Sequence, residues 1–107
     1  MEGRQAAVYI VASGRGGTLY IGVTSDLVWR VGEHRAGEGG GFAARYGCRV
    51  LVWFALFGGM AEAILREKQV KGWVRARKVE LIVTENPFWE DLYPGLLGVG
   101  WDGVERK

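Results

Sequence analysis

The side chains in this 107-residue sequence best suited to chemistry are two tyrosines, Tyr9 and Tyr20, an arginine and a histidine four apart, Arg30 and His34, and a glutamate further on, Glu67. Arginine is always charged and presents a planar fork of donors that fits an oxyanion. Histidine, with an unperturbed pKa of roughly 6.5, can orient a hydroxyl or relay a proton near neutrality. A carboxylate suits a hard divalent cation. Tyrosine is a poor base at its ordinary pKa of roughly 10 and needs a nearby cation before it can serve as one. Each residue also has a plainer explanation. The tyrosines suit strands, Arg30 and His34 suit an exposed helix face, and Glu67 is spaced to pair with Lys71 along a helix.

The elements that would position these groups are legible from periodicity. Residues 6–12 and 19–23 are rich in Val, Ile and Tyr and read as strands joined by the glycine-rich hairpin loop 13–18. Strand alternation puts Tyr20 and Gly22 on one face and Leu19, Ile21 and Val23 on the other, facing the core. Thr24 or Ser25 is expected to cap a helix that carries Asp26 in its first turn and runs to about Arg35. Leu27 and Val31 form its buried stripe, with Arg30 and His34 together on a different face. The stretch 36–41 is too glycine-rich for regular structure and reads as a mobile loop.

The apolar run from Arg49 to Phe57 reads as a third strand, buried on both faces rather than an exposed edge. Met60 to Lys71 reads as a helix with Met60, Ala61, Ile64 and Leu65 as its apolar face. A break at Gly72 and Trp73 precedes a short helix from about Val74 to Thr84, which cannot continue through Pro87. Residues 94–107 have no sustained period and are expected to be a loosely packed tail. One domain is expected, with its core at about residues 6–93 and neither an internal repeat nor a second domain.

Composition narrows the class. Hydrophobic residues make up 49% and charged residues 24% of the chain, which excludes the low-hydrophobicity pattern of disorder. No apolar run is long enough to cross a bilayer, and Met1 to Gln5 lack a secretory leader's apolar region, so a soluble cytoplasmic protein is expected. The lone Cys48 reads as a buried small hydrophobe. Six of the 14 Lys and Arg residues fall between Arg66 and Lys78, a cluster able to neutralise phosphates or simply to solvate a helix face. Trp53, Trp73, Trp89 and Trp101 could serve an interaction surface, but core and tail packing accounts for most of them.

Val8-Tyr9-Ile10, Leu19-Tyr20-Ile21-Gly22-Val23-Thr24-Ser25-Asp26-Leu27, then Arg30, His34, Glu62 to Gln69 with Glu67, and Asn86-Pro87-Phe88-Trp89 occur in the order and approximate spacing of the GIY-YIG nucleases. Over about residues 6–93 the chain resembles the small single-domain bacterial members related to the nuclease module of the excinuclease. It departs from the wider pattern in carrying Ala7-Val8-Tyr9 for Gly-Ile-Tyr, and Val23 where the excinuclease members have a lysine. Lys71 or Arg45 could supply that missing cation.

The resemblance implies an α+β fold, a small three-stranded antiparallel sheet flanked by helices. It also implies a metal-dependent endonuclease of DNA, acting in repair or processing with low sequence specificity. Glu67 would hold Mg²⁺ or Mn²⁺. Tyr9 would be the general base, and Tyr20 would position the water or the phosphate. Arg30 would clamp the phosphate, and His34 would orient a tyrosine hydroxyl or relay its proton. Gly22 would leave room for the DNA backbone, while Arg45, Lys71 and Asn86 would contact substrate. The DNA could be single-stranded, branched or damaged, with RNA also possible, and the protein a monomer or weak homodimer. The alternative is a binding module that grips nucleic acid through Arg66 to Lys78 and stacks a base on Trp73 without cutting.

Overall fold

Every residue of the first strand, β1 (Ala6–Ala12), is buried because it lies in the middle of the sheet. A computed structural model describes residues 5–98. In it β1 pairs antiparallel with β2 (Leu19–Thr24) on one side and with β3 (Val50–Phe57) on the other. Around this sheet lie α1 (Leu27–Ala36), α2 (Gly41–Arg45), α3 (Met60–Lys71), α4 (Arg75–Glu85) and α5 (Tyr93–Leu96). The expected three-stranded α+β fold is the one observed.

Alternation along β1 divides the core into two layers. Val8 and Ile10 pack with Ile21, Val52 and Trp53 under Ala63 and Val70 of α3 and Ile82 of α4. Ala7, Tyr9 and Val11 face the opposite way, onto Leu27 and Val31 of α1, Ala43 of α2 and Leu51. Leu19, Ile21 and Val23 take the core face expected of them, and Tyr20 takes the other.

β3 is an edge strand, contrary to the sequence reading, with Leu56 exposed. Its unbroken apolar run has a local cause. The pairing register with β1 slips between Ile10 and Val11, which face Trp53 and Leu51, so Val52 is the extra residue of a bulge. Val52 and Trp53 therefore both join one core layer while Leu51 joins the other.

Three helix details also differ from expectation. Asp26 is itself the cap of α1, accepting from the Trp29 amide, while Thr24 Oγ1 accepts from the Asp26 amide. The glycine-rich stretch ends in the first residue of the short α2, which is entered through Gly40 and Gly41 at positive φ. The buried face of α3 is Ala63, Glu67 and Val70, while Met60, Ala61, Ile64 and Leu65 are exposed. The small Ala63 lets α3 approach β1 and β2 closely, which the larger side chains would prevent.

Asn86 ends α4 and holds the turn that follows. Its Nδ2 donates to the carbonyls of Val52 (3.0 Å) and Glu90 (2.9 Å), and its Oδ1 accepts from the Glu90 amide (3.0 Å). That loop seats Trp89 in the core at φ 57°. Removing the amide strands buried backbone groups, so Asn86→Ala is expected to lower unfolding free energy by about 2–3 kcal/mol in urea titration. A change under about 0.5 kcal/mol would contradict this account.

The expected tail begins inside α5, which packs Tyr93 and Leu96 against the α1 layer. Residues 99–107, including Trp101, lie outside the described residues. Among the described residues no helix is long and apolar enough to cross a membrane.

Candidate active site

Tyr9 sits directly across from Gly22 in the β1–β2 pairing. A Cβ at position 22 would fall 2.3 Å from the Tyr9 hydroxyl, so only glycine lets the Tyr9 ring lie flat over β2. Gly22 is itself buried. The room it leaves is taken by Tyr9, not by a DNA backbone as the sequence reading had it.

Under this arrangement Tyr9 is 1% exposed, and its hydroxyl lies 2.9 Å from Nε2 of His34. Tyr20 completes a group of three rings, its centroid 6.4 Å from Tyr9 and 5.4 Å from His34. Tyr20 is the more exposed of the two tyrosines. His34 is brought inward because it continues the buried stripe of α1, Leu27, Val31 and His34. Arg30, four residues earlier, stays beside it, and both reach Tyr9, although the i, i+4, i+7 spacing places His34 in the buried stripe.

Arg30 lies against Tyr9 while its Nη1 donates to Glu33 Oε1 at 2.6 Å. Glu33 was not singled out in the sequence, although the i, i+3 spacing signals the pair. Together with proximity to Tyr9, this contact raises the guanidinium's pKa, so Arg30 is a permanent cation. The loop after α1 crosses here on Gly39, whose Cβ would lie 3.5 Å from Arg30 Nη1.

Burial sets the protonation of the inner pair. It pushes Tyr9 up to about 12, against the opposing pull of Arg30, and it lowers His34, an effect to which Arg30 adds. Both groups are therefore held neutral near pH 7. A lowered histidine means that the unfolded chain binds more protons, so stability falls as pH drops through the unfolded value of roughly 6.5. A raised tyrosine means that stability falls as pH climbs above roughly 10, where the unfolded phenol ionises first. Chemical denaturation from pH 5 to 11 is expected to show a plateau between these limits. In Tyr9→Phe the alkaline decline should shrink, and an unchanged alkaline slope would contradict the assignment.

The anionic residue comes from the other layer. Glu67 is 7% exposed, and its Oε2 pairs with Lys71 Nζ at 2.6 Å. This contact raises the Lys71 pKa and keeps it cationic. Lys71 Nζ also stands 5.9 Å from the centroid of the Tyr20 ring. Val23 packs into the core, so it is Lys71, one helix away, that brings a cation to this tyrosine.

Among the described residues no three His, Cys, Asp or Glu side chains cluster to form a metal cage. The single recessed carboxylate of Glu67 would suit Mg²⁺, a cation that usually keeps several of its waters when protein-bound.

The remaining candidates lie apart from this group. Arg45 lies 5.7 Å over the ring of Tyr46 on the α2 side. The Asn86 side chain is engaged with backbone of the opposite layer. Much of the basic cluster is occupied internally. Arg66 and Arg77 lie over the Trp73 ring at 5.1 and 4.1 Å, and Arg75 donates to the carbonyls of Gly16 and Gly17. Trp73 is thus half-buried and packed against its own arginines.

Residues 5–80 match the family described as the GIY-YIG catalytic domain. The chain is 33% identical over 75 residues to a UPF0213 protein of Staphylococcus haemolyticus, covering 70% of this chain and 90% of the relative. It is 38% identical over 64 residues to a UPF0213 protein of Haloquadratum walsbyi, covering 60% and 72%. The solution NMR structure of a UPF0213 protein from Bacillus halodurans matches with a TM-score of 0.50 at 26% identity, over 84% of this chain and 95% of that one.

Proposed function

Because the chain belongs to the GIY-YIG catalytic-domain family, we propose that it is a divalent-cation-dependent endonuclease that hydrolyses phosphodiester bonds in DNA. The observation that supports this reading is the meeting of Tyr9, Tyr20, His34 and Arg30 with the Glu67–Lys71 pair at β2. The group joins cations and hydroxyls to the Glu67 carboxylate, the combination that attack of water on a phosphate calls for.

Glu67 would hold Mg²⁺ or Mn²⁺, which when bound would supply Lewis acidity for attack on the phosphate. Arg30 clamps the scissile phosphate through its donor fork, exchanging the Glu33 carboxylate for substrate oxygens. Lys71 adds a second positive charge beside Tyr20. The Tyr20 hydroxyl, being the more exposed, orients the attacking water.

Tyr9 is assigned a different task from the free general base of the sequence reading. Burial works against a Tyr9 phenolate and a His34 imidazolium alike, so the two stay neutral and hydrogen-bonded. Tyr9 and His34 thus form a positioning pair beneath Tyr20.

The test is cleavage of single-stranded, duplex and branched DNA and of RNA, with Mg²⁺, with Mn²⁺ and with EDTA, beside Arg30→Ala. Cation-dependent cutting of DNA that falls with Arg30→Ala is expected. Salt-sensitive binding without cutting under every condition would overturn the reading in favour of a binding module.

A further inference from the structure

Next to Tyr20, the short helix α2 and the residue that caps its C-terminus carry two large aromatic side chains that the core does not use. Phe42 and Tyr46 are 49% and 47% exposed, although their helix is anchored by the buried Ala43. Phe42 stacks on Tyr20 with centroids 6.4 Å apart and planes 25° apart, and Tyr46 lies 4.6 Å from Phe42. The guanidinium of Arg45 stands over Tyr46. The result is a continuous line of rings leading outward from the candidate active site, with a cation at its far end.

We propose that Phe42 and Tyr46 form a nucleobase-stacking site for an unpaired nucleotide flanking the scissile phosphate, with Arg45 holding a phosphate of that strand. This rests on the nuclease reading and specifies its substrate as DNA with unpaired bases beside the cut. Aromatic faces outside the core accept the π-face of any base. Duplex DNA hides those faces in its own stack, whereas a single strand, a flap or a frayed end presents them.

The occupant follows from continuity and charge. The inner ring touches Tyr20, which the nuclease reading places against substrate, and the outer ring is bordered by arginine, which suits a polyanion and not an apolar protein surface. Trp73, the stacking residue expected from the sequence, is engaged by Arg66 and Arg77 in the opposite layer. The stacking role therefore moves to residues that lead out of the site.

The experiment is fluorescence anisotropy with a labelled single-stranded oligonucleotide and its matched duplex, in EDTA so that nothing is cut. Phe42→Ala and Tyr46→Ala are each expected to weaken single-strand binding roughly 5- to 100-fold, the range base–aromatic stacking supplies, with duplex binding within about twofold. Phe42→Trp should restore single-strand binding, and thermal melting of each variant controls for folding. An abasic nucleotide at the flanking position should weaken the parent but not Phe42→Ala. Equal losses on both substrates, or none on either, would overturn the stacking site.

The two readings fail separately. A parent that binds single strands through Phe42 yet cuts nothing supports the stacking site and overturns the nuclease. Cleavage that is indifferent to Phe42→Ala overturns the stacking site and leaves the nuclease standing.

Discussion

The Glu67→Gln protein is expected to cleave DNA about 10²- to 10³-fold more slowly than the parent, the scale on which losing one preorganised electrostatic contact to a transition state registers. Glutamine keeps the size and the hydrogen-bonding reach of the side chain, so the α3 packing around Ala63 and Val70 is undisturbed. What disappears is the one carboxylate placed beside Lys71 and Tyr20. Stability should move by no more than about 1 kcal/mol, because the Lys71 end of the ion pair is half exposed and such pairs contribute little. Single-turnover cleavage across a Mg²⁺ titration, paired with thermal melting, separates the two effects. A variant that cuts as fast as the parent at every Mg²⁺ concentration would remove Glu67 from the chemistry.

The second large effect concerns packing. Gly22→Ala places a methyl 2.3 Å from the Tyr9 hydroxyl and 2.4 Å from the ring carbon that bears it, inside a strand pair with no slack. Overpacking of this kind costs about 1–3 kcal/mol. The displaced ring should also lose its hydrogen bond to His34, so cleavage should fall as well. Combining the change with Tyr9→Leu, which removes the ring atoms the methyl meets, tests the cause. The cost of Gly22→Ala is expected to shrink in the Tyr9→Leu background, giving a coupling of about 1 kcal/mol or more. Additive costs would show that Gly22 serves some need other than the Tyr9 ring.

Much of this architecture could be read from spacing alone, because strands and helices differ in period. β1, β2 and α3 fall close to their expected bounds, and Leu19, Ile21 and Val23 face the core as alternation requires. The misreadings have physical causes. Val52 occupies a bulge, so β3 shows no alternation and resembles a central strand although it is an edge. On α3 the largest apolar residues are exposed because close approach to the sheet selects alanine and valine, which hydrophobicity alone does not reveal.

The site was legible to a different depth. Tyr9, Tyr20, Arg30, His34 and Glu67 were recognisable as a set, and their mutual geometry was not. That Gly22 serves Tyr9 depends on the cross-strand register, which the hairpin length did not settle. Glu33 and Lys71 followed helix spacing rules and could have been ranked higher. Phe42 and Tyr46 lie just past the glycine-rich stretch, in a short helix and its cap that no apolar period marks.

Arg30 and His34 are held by the helix layer on one side of the sheet, and Glu67 and Lys71 by the layer on the other, with β2 between them. The strand works as a hinge pin on which two jaws are mounted. The coil of β2 against β1 bears on how far the jaws stand apart, and with it buried residues such as Ile21 and Val8. Trimming those residues should leave each jaw intact while changing the gap between them. Turnover should then decline with little change in how tightly DNA is held, and the allowed variation at the interior of a three-stranded sheet would be set by the tolerance of a gap at its rim.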